Sequence, residues 1–483
     1  MRLSELLRQN GSVLSPSVDP EILTVTADSR QVQPGTLFFA LRGAKQDGAA
    51  FIPQAVAKGA VAIIADHPAE ADIPVLLTPD AKHLLALMAA TLAGPQPSCI
   101  AAVTGTNGKS STAEFLRQLW TLQGLKAASL GTLGLIANVD VPPPPSLTTP
   151  DPVSLAATLA SLAQHGVDHV ALEASSHGLE QHRLDGVHLN AAGFSNLTRD
   201  HLDYHGTLEA YRAAKLRLFE DLLPANGIAA VNADMDADTL NALHAIAAQR
   251  GMALRTTGKT GQTLRLLETR PTPTGQIVRL SLYGEDLPEM TLGLPGLFQA
   301  DNAMLAAAMC WQTEDDARSL VDLLPQLTGV RGRCERAVEL SNGAAAYVDY
   351  AHTPDALERV LASLRPHTEG RLVVVFGAGG DRDRGKRPLM GEVAARMADV
   401  AIVTDDNPRT EEPQSIRAAI HAACPNALEI GDRRSAIAAG LEALKPGDIL
   451  VVAGKGHEQG QIVGQTVLPF DDRSVIRELA GAA

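Results

Sequence analysis

Short apolar runs of β character alternate with helical patterns through most of the chain, and that alternation admits few architectures. From Gly59, GAVAIIAD reads as a buried strand after a short helix, and residues 80–93 read as a helix stopped by Gly94-Pro95-Gln96-Pro97. Beyond that turn-rich boundary come IAAVTG, a helix over 110–123, AASLG, a helix over 153–165, HVALEASS and AAGFSNL. Continuous apolar strands separated by helices predict a mostly parallel sheet covered by helices. After Arg331 a second such series begins, with AAAYVDY, RLVVVFGAG, DVAIVTDD and DILVVAG as its strands. The fold class expected is therefore α/β with three domains, over 1–96, 97–331 and 332–483. Residues 142–145, all proline, form a short stiff linker or loop.

A chain of 483 residues exceeds what one core usually serves, which agrees with several domains. Its 41 basic and 55 acidic residues leave a net charge of −14, the wrong sign for a protein that gains affinity by neutralising phosphate backbones. Aromatic residues make up only 3%, so platforms for base stacking are few, and nucleic acid is not expected as a partner. Cys99, Cys310, Cys334 and Cys424 are scattered without the paired spacing of zinc sites or disulfide frameworks, which fits a reducing compartment. The N-terminus places Glu5 and Arg8 among its leucines, and no segment approaches a membrane-spanning length. A cytoplasmic protein with no membrane partner is expected.

The run 100–103 leads into Thr104-Gly105-Thr106-Asn107-Gly108-Lys109-Ser110-Ser111, with a helix directly after. In that geometry backbone N–H groups and a helix N-terminus surround phosphate oxygens. Gly105 and Gly108 permit the tight backbone, Lys109 supplies a cation to the outer phosphates, and the Ser110 hydroxyl can reach Mg²⁺. The general eight-residue pattern has glycine where Val103 stands, so the loop is a shortened variant. Switches, pumps and kinases share such loops, and the reaction has to be read from other sites.

Glu173 ends the strand HVALEASS, where open α/β sheets bind their ligands. A carboxylate continuing an apolar strand is costly to bury alone, which favours a functional or paired role. The stretch from Asn196 to His205 gathers ionisable groups just beyond another strand, and His201 could offer a neutral imidazole to a metal. For His201 taken alone, a surface loop of solvated charges is the better account. Lys215 falls in a helical stretch and, taken alone, reads as one more exposed lysine.

Together these residues resemble the Mur ligases, and most closely the member that adds the third amino acid to UDP-N-acetylmuramoyl-dipeptide. The resemblance runs over essentially the whole chain. It rests on TGTNGKSS from Thr104, TTP from Thr148, ALEASSHGLEQHR from Ala171, NLTRDHLDYH from Asn196, DYAHTPDAL from Asp349, GAGGDRDRGKRP from Gly377, DDNPR from Asp405 and GKGHEQ from Gly454, in the family's order. It implies a UDP-sugar-binding N-terminal domain, a P-loop ATPase-like central domain and a Rossmann-like C-terminal domain that binds the amino acid. By the same resemblance Gly105, Thr106, Asn107, Gly108, Lys109, Ser110 and Ser111 would hold ATP. Asn302, Arg333 and Asp349 would contact its adenosine, phosphate and ribose sides, with Gln299 standing where the family often has asparagine. Ser110, Glu173, His201 and Lys215 would surround Mg²⁺, with Lys215 carbamylated by CO₂ to N6-carboxylysine. Carbamylation turns a repelling ammonium into the anionic oxygen that a hard cation prefers.

Ser29, Thr148, Thr149, Ser176, Gln181 and Arg183 match the family's contacts to the UDP-sugar substrate, whereas Ala49 follows Asp47-Gly48 where histidine is frequent. The run Asp406-Asn407-Pro408-Arg409 is the one the family associates with meso-diaminopimelate as the acceptor. Diaminopimelate carries a distal carboxylate that lysine lacks, and a guanidinium can grip it through two parallel hydrogen bonds. Arg409 is the candidate clamp, with Arg382, Gly454 and Glu458 completing the pocket by resemblance.

The implied reaction is attack of the D-glutamate side-chain carboxylate of the UDP-linked dipeptide on ATP, followed by displacement of phosphate by an amine. Substrates on different domains imply closure of the C-terminal domain, and a monomer is expected. Three other readings stay open: the same ligase with a lysine acceptor, a folate-polyglutamate or cyanophycin type ligase, and an ATP-gated switch without ligation. Arg409 and Asn407 oppose the first and SSHGLEQHR the second, while a switch has no need of an amino-acid pocket.

Overall fold

The computed structural model describes residues 1–43, 46–145 and 147–482; Ala483, the last residue of the expected third domain, lies outside them. It is α/β, with the described residues in two compact units, Met1–Thr257 with Leu305–Ala317, and Gly258–Met304 with Arg318–Ala483.

In the first unit a parallel sheet runs in the order Thr24–Thr26, Thr36–Ala40, Ala60–Ala65 and Val75–Leu77. Helix Ala81–Ala93 covers it and ends at Gly94, whose φ of +99° an L side chain rarely adopts. A second sheet follows the order Leu254–Gly258, Ile228–Asn232, Ala191–Phe194, Cys99–Thr104, His169–Glu173, Ala127–Gly131 and Gly134–Ala137. Its neighbours pair in parallel except for the last two strands, which form a hairpin. Strand Cys99–Thr104 is central, and its residues 100–104 are fully buried, which explains its unbroken apolar sequence. Local signals start the helices: Asp151 accepts from Val153 and Ser154 N–H ahead of Pro152, and Thr207 accepts from Ala210 N–H ahead of Leu208–Arg217.

In the second unit strands Leu264–Thr272 and Gly275–Leu282 pair antiparallel, an element the strand-helix alternation did not announce. The other sheet there runs Glu335–Glu339, Ala345–Asp349, Ile449–Ala453, Leu372–Phe376, Val400–Val403 and Leu428–Glu429, parallel but for its first strand. Strand Leu372–Phe376 is wholly buried. Gly460–Val463 and Thr466–Pro469 form a separate hairpin. No helix among the described residues is long and apolar enough to cross a membrane.

Candidate active site

Register brings the first cluster together. Val103, at the mouth of the glycine loop, pairs directly with Glu173 on the neighbouring strand, so the loop and the carboxylate share the C-terminal edge of one sheet. Helix Lys109–Leu122 starts from Gly108, whose φ is +87°, and Ser110 and Ser111 are buried in its first turn. Gly105 answers a different constraint: its φ is +140°, and a Cβ there would run into Ser195 Oγ. The loop is braced by Asn196, whose carbonyl accepts from Thr106 N–H at 2.8 Å and whose Oδ1 accepts from Asn107 N–H at 3.0 Å. Thus the stretch beginning at Asn196 supports the nucleotide loop besides carrying His201.

Lys109 Nζ donates to the carbonyls of Gly105 and Thr106, each at 2.9 Å. Lys215 Nζ donates to the same Gly105 carbonyl at 2.8 Å and lies 4.5 Å from the centre of the Tyr211 ring. Read alone as an exposed lysine, Lys215 is in fact only 1% exposed. Helix Leu208–Arg217 turns it inward, because Tyr211, one turn earlier on the same face, is buried too. Burial pushes the Lys215 ammonium well below its usual range, and the charge of Lys109 adds to the shift against a smaller opposing pull from Asp200.

Glu173 is 3% exposed. Its Oε1 accepts from Thr132 N–H at 2.8 Å and its Oε2 from Thr132 Oγ1 at 3.2 Å. Gly131 makes room for it, since a Cβ there would meet the carboxylate. His201 has φ +53° and a half-exposed ring, stacked edge-on to His177 at 5.0 Å and lying 6.1 Å from Tyr211. Thr132 and Tyr211 escaped the sequence reading. The only signal for Thr132 was its place just past a strand ending in glycine.

The residues read as substrate contacts also gather near Glu173. Thr148 Oγ1 is 3.0 Å from Thr132 Oγ1, and Thr149 Oγ1 donates to the Glu173 carbonyl at 2.8 Å. Arg183 donates to the Thr149 carbonyl at 2.6 Å and to Gln181 Oε1 at 2.7 Å, and Gln181 Nε2 donates to Tyr204 at 3.1 Å. Ser176 Oγ lies 3.0 Å from His205 Nε2. Ser29 stands apart from this network: it is buried and donates to Gln54 Oε1 at 2.8 Å.

Among the described residues one further group has ligand spacing for a metal. His83 Nδ1 and His182 Nδ1 each lie 2.7 Å from Asp185 Oδ2. The Arg217 guanidinium already sits 3.2 Å from that oxygen and 3.3 Å from His182 Nδ1, so a cation is in place and the group reads as an ion-pair network. Burial acts to raise the Asp185 carboxyl, yet the bonds from His182 and His83, with Arg217 beside them, push it down to about 2.

In the second unit Asn302 Nδ2 donates to Gln299 Oε1 at 3.0 Å, and Gln299 Nε2 donates to the Arg333 carbonyl at 3.4 Å. Arg333 lies over the Tyr350 ring at 5.0 Å. Asp349 accepts from the N–H groups of Cys334 and Ala351 at 2.8 Å, and burial raises its carboxyl despite the pull of Arg333. The three residues read as adenosine, phosphate and ribose contacts therefore sit in one neighbourhood.

The Asp406–Arg409 run lies just after strand Val400–Val403. Arg409 has φ +51°, and its Nη1 donates to the Gly380 carbonyl at 2.9 Å. Asn407 Nδ2 donates to Glu458 Oε2 at 3.0 Å, while Gly454 packs so closely on Asp406 that a Cβ would meet its Oδ2. Arg382 is exposed. Behind Gly454 the wholly buried pair of Arg433 and Asp472, 2.7 Å apart, anchors the strand end, because Arg433 also donates to the Ala453 carbonyl at 3.1 Å. Positive, negative and amide groups thus converge beyond the ends of strands Val400–Val403 and Ile449–Ala453, an arrangement suited to a zwitterionic ligand.

Residues 103–310 match the Mur ligase middle domain, 332–456 the Mur ligase glutamate ligase domain, and 21–93 the Mur ligase family catalytic domain. The chain is 54% identical to a UDP-N-acetylmuramoyl-L-alanyl-D-glutamate–2,6-diaminopimelate ligase of Caulobacter vibrioides, over 94% of this chain and 95% of that one. It is 50% identical to the ligase of the same name from Rhizobium meliloti, over 100% of both. A solved structure of a ligase of that name superposes with a TM-score of 0.72 at 35% identity, covering 95% of each chain. The MurF ligase of Thermotoga maritima in complex with ADP shares the fold, with a TM-score of 0.58 at 20% identity over 95% of this chain and 97% of that one.

Proposed function

The chain belongs to the Mur ligase family, and on that premise we propose that it is an ATP-dependent ligase joining meso-diaminopimelate to the D-glutamate side-chain carboxylate of UDP-N-acetylmuramoyl-L-alanyl-D-glutamate in peptidoglycan precursor synthesis. The observation that carries this reading is the convergence of Arg409, Asn407 and Asp406, beyond one strand, with Glu458, beyond another, a set able to receive both a carboxylate and an ammonium. We assign the UDP-sugar to residues 1–96, ATP and the chemistry to 97–331, and the acceptor to 332–483. A cytoplasmic monomer acting on these small molecules completes the proposal.

In the reaction a carboxylate oxygen of the D-glutamate attacks the γ-phosphorus of ATP and the bond to ADP breaks. The acceptor amine then attacks the acyl carbon, loses a proton, and expels phosphate. Lys109, together with backbone N–H groups of 105–111, stabilises charge on the transferring phosphoryl group. Arg183, Gln181, Thr148, Thr149 and Ser176 orient the dipeptide carboxylate, with Ser29 toward the uridine diphosphate. Asn302, Arg333 and Asp349 hold the nucleoside end of ATP.

The donor set around Glu173 fits Mg²⁺. Glu173 and Ser110 offer buried hard oxygen atoms, Thr132 aims the carboxylate, and His201 adds a ring nitrogen. Mg²⁺ bound there would neutralise phosphate charge. Lys215 fits a carbamate for the reason its ammonium fits poorly: burial beside Lys109 lowers its pKa, and once the amine has lost its proton its nitrogen can bond to the carbon of CO₂ as a second proton leaves.

The test is phosphate release with ATP, Mg²⁺ and the UDP-dipeptide, comparing meso-diaminopimelate, L-lysine and no amino acid, with products weighed by mass spectrometry. A tripeptide with diaminopimelate alone supports the assignment. A lysine product removes Arg409 as the clamp, and ATP turnover without an acceptor-dependent product favours a switch.

A further inference from the structure

Lys455 is wholly buried, and the function proposed above gives it no task. Its neighbours Gly454 and Gly456 have φ of +121° and +54°. A Cβ at the first would meet Asp406 Oδ2 and one at the second would press on Tyr350, so both positions demand glycine. This Gly-Lys-Gly turn drives the lysine inward, where its Nζ donates to Asn407 Oδ1 at 2.9 Å and lies 3.5 Å from Glu458 Oε2.

Asn407 Oδ1 accepts a second hydrogen bond, from Ile462 N–H at 2.9 Å. With its oxygen held by two donors the amide cannot flip, which commits Nδ2 to Glu458 Oε2. Charge points the same way. Burying an ammonium is costly without anions nearby, and Asp406 and Glu458 supply them, since the neighbouring Arg433 is already paired with Asp472. In return the Lys455 charge offsets two carboxylates that would otherwise repel an acceptor's own carboxylate.

We propose that Lys455 is a positioning residue for the acceptor amino acid, fixing the Asn407 amide and the Glu458 carboxylate in the orientation that receives its distal end. The inference rests on the acceptor pocket proposed above.

The test is steady-state kinetics on the full chain with Lys455→Met, Asn407→Ala and the double variant. Lys455→Met is expected to raise KM for meso-diaminopimelate about tenfold or more, while kcat and KM for ATP and the UDP-dipeptide stay within about twofold. The double variant is expected to lose less than the two single losses combined, because part of the lysine's effect passes through the amide. An unchanged acceptor KM, additive losses, or equal losses in all three KM values would overturn the role. If Lys455→Met does not fold, Lys455→Gln serves: a raised acceptor KM supports the proposal and a wild-type one sinks it. Wild-type protein that makes no tripeptide from diaminopimelate would sink the pocket assignment instead, an outcome distinct from failure of Lys455 alone.

Discussion

Two lysines, Lys215 beside the nucleotide loop and Lys455 beside the Asp406–Arg409 run, are 1% and 0% exposed, and burial lowers the pKa of each. Their neighbours differ. Lys215 meets a carbonyl that it shares with a second lysine, while Lys455 faces Asn407 Oδ1 with Asp406 and Glu458 close by. Equal burial therefore meets opposite electrostatics. Both sites disfavour the ammonium, but at the first a neighbouring cation adds to the shift, whereas at the second neighbouring carboxylates oppose it. Burial alone does not identify a functional lysine; the sign of what surrounds it does.

The comparison can be broken most directly by replacing each lysine with methionine. Lys215→Met is expected to lower kcat by about a hundredfold or more in the phosphate-release assay, since the proposed carbamate could not form there. Wild-type protein stripped of CO₂ is expected to lose activity and regain it with bicarbonate, whereas the Lys215→Met protein gains nothing. Around the other lysine the effects belong in binding: Arg409→Lys is expected to raise KM for meso-diaminopimelate about thirtyfold and leave KM for ATP unchanged, because an ammonium cannot make the two parallel bonds.

Stability sharpens the contrast further. Thermal melting at neutral pH is expected to show Lys455→Met destabilised by about 2 kcal/mol, because Asn407 Oδ1 loses a buried donor, a loss larger than the relief of no longer burying the ammonium. Lys215→Met is expected to melt no lower than wild type in CO₂-free buffer. The sign follows from the lowered pKa: below the usual lysine value of 10.5 the unfolded chain binds a proton that the folded site resists, so the wild-type residue opposes folding. That difference fades as pH rises toward 10.5. The smallest effect is expected for Thr132→Val, which takes one donor from Glu173 and leaves the backbone N–H. About fivefold weaker apparent Mg²⁺ affinity in the activity assay would place Thr132 behind the carboxylate, and no change would remove it from the site.

Much of the architecture was legible before any coordinates. The strands from GAVAIIAD to DILVVAG lie where apolar runs put them, because a strand buried on both faces has to be apolar throughout. The antiparallel pair Leu264–Thr272 and Gly275–Leu282 was not, since its mixed burial leaves polar and charged residues along both strands. The glycine loop was readable because strand, loop and helix are contiguous. Thr132 and Tyr211 carry no local mark of importance, and Lys455, although it lies inside GKGHEQ, has no role that the run itself discloses; what all three touch comes from distant parts of the chain.

By itself the sequence determined the α/β class, the order of the elements and the family, through the periodic burial of apolar residues and through motifs that are local in the chain. Only the tertiary structure decided which ionisable groups share a site and in what charge state. Strand pairing sets Val103 against Glu173, and helix packing turns Lys215 onto Gly105. A pKa depends on the charges and the solvent within a few ångströms, and those neighbours exist only once the chain has folded.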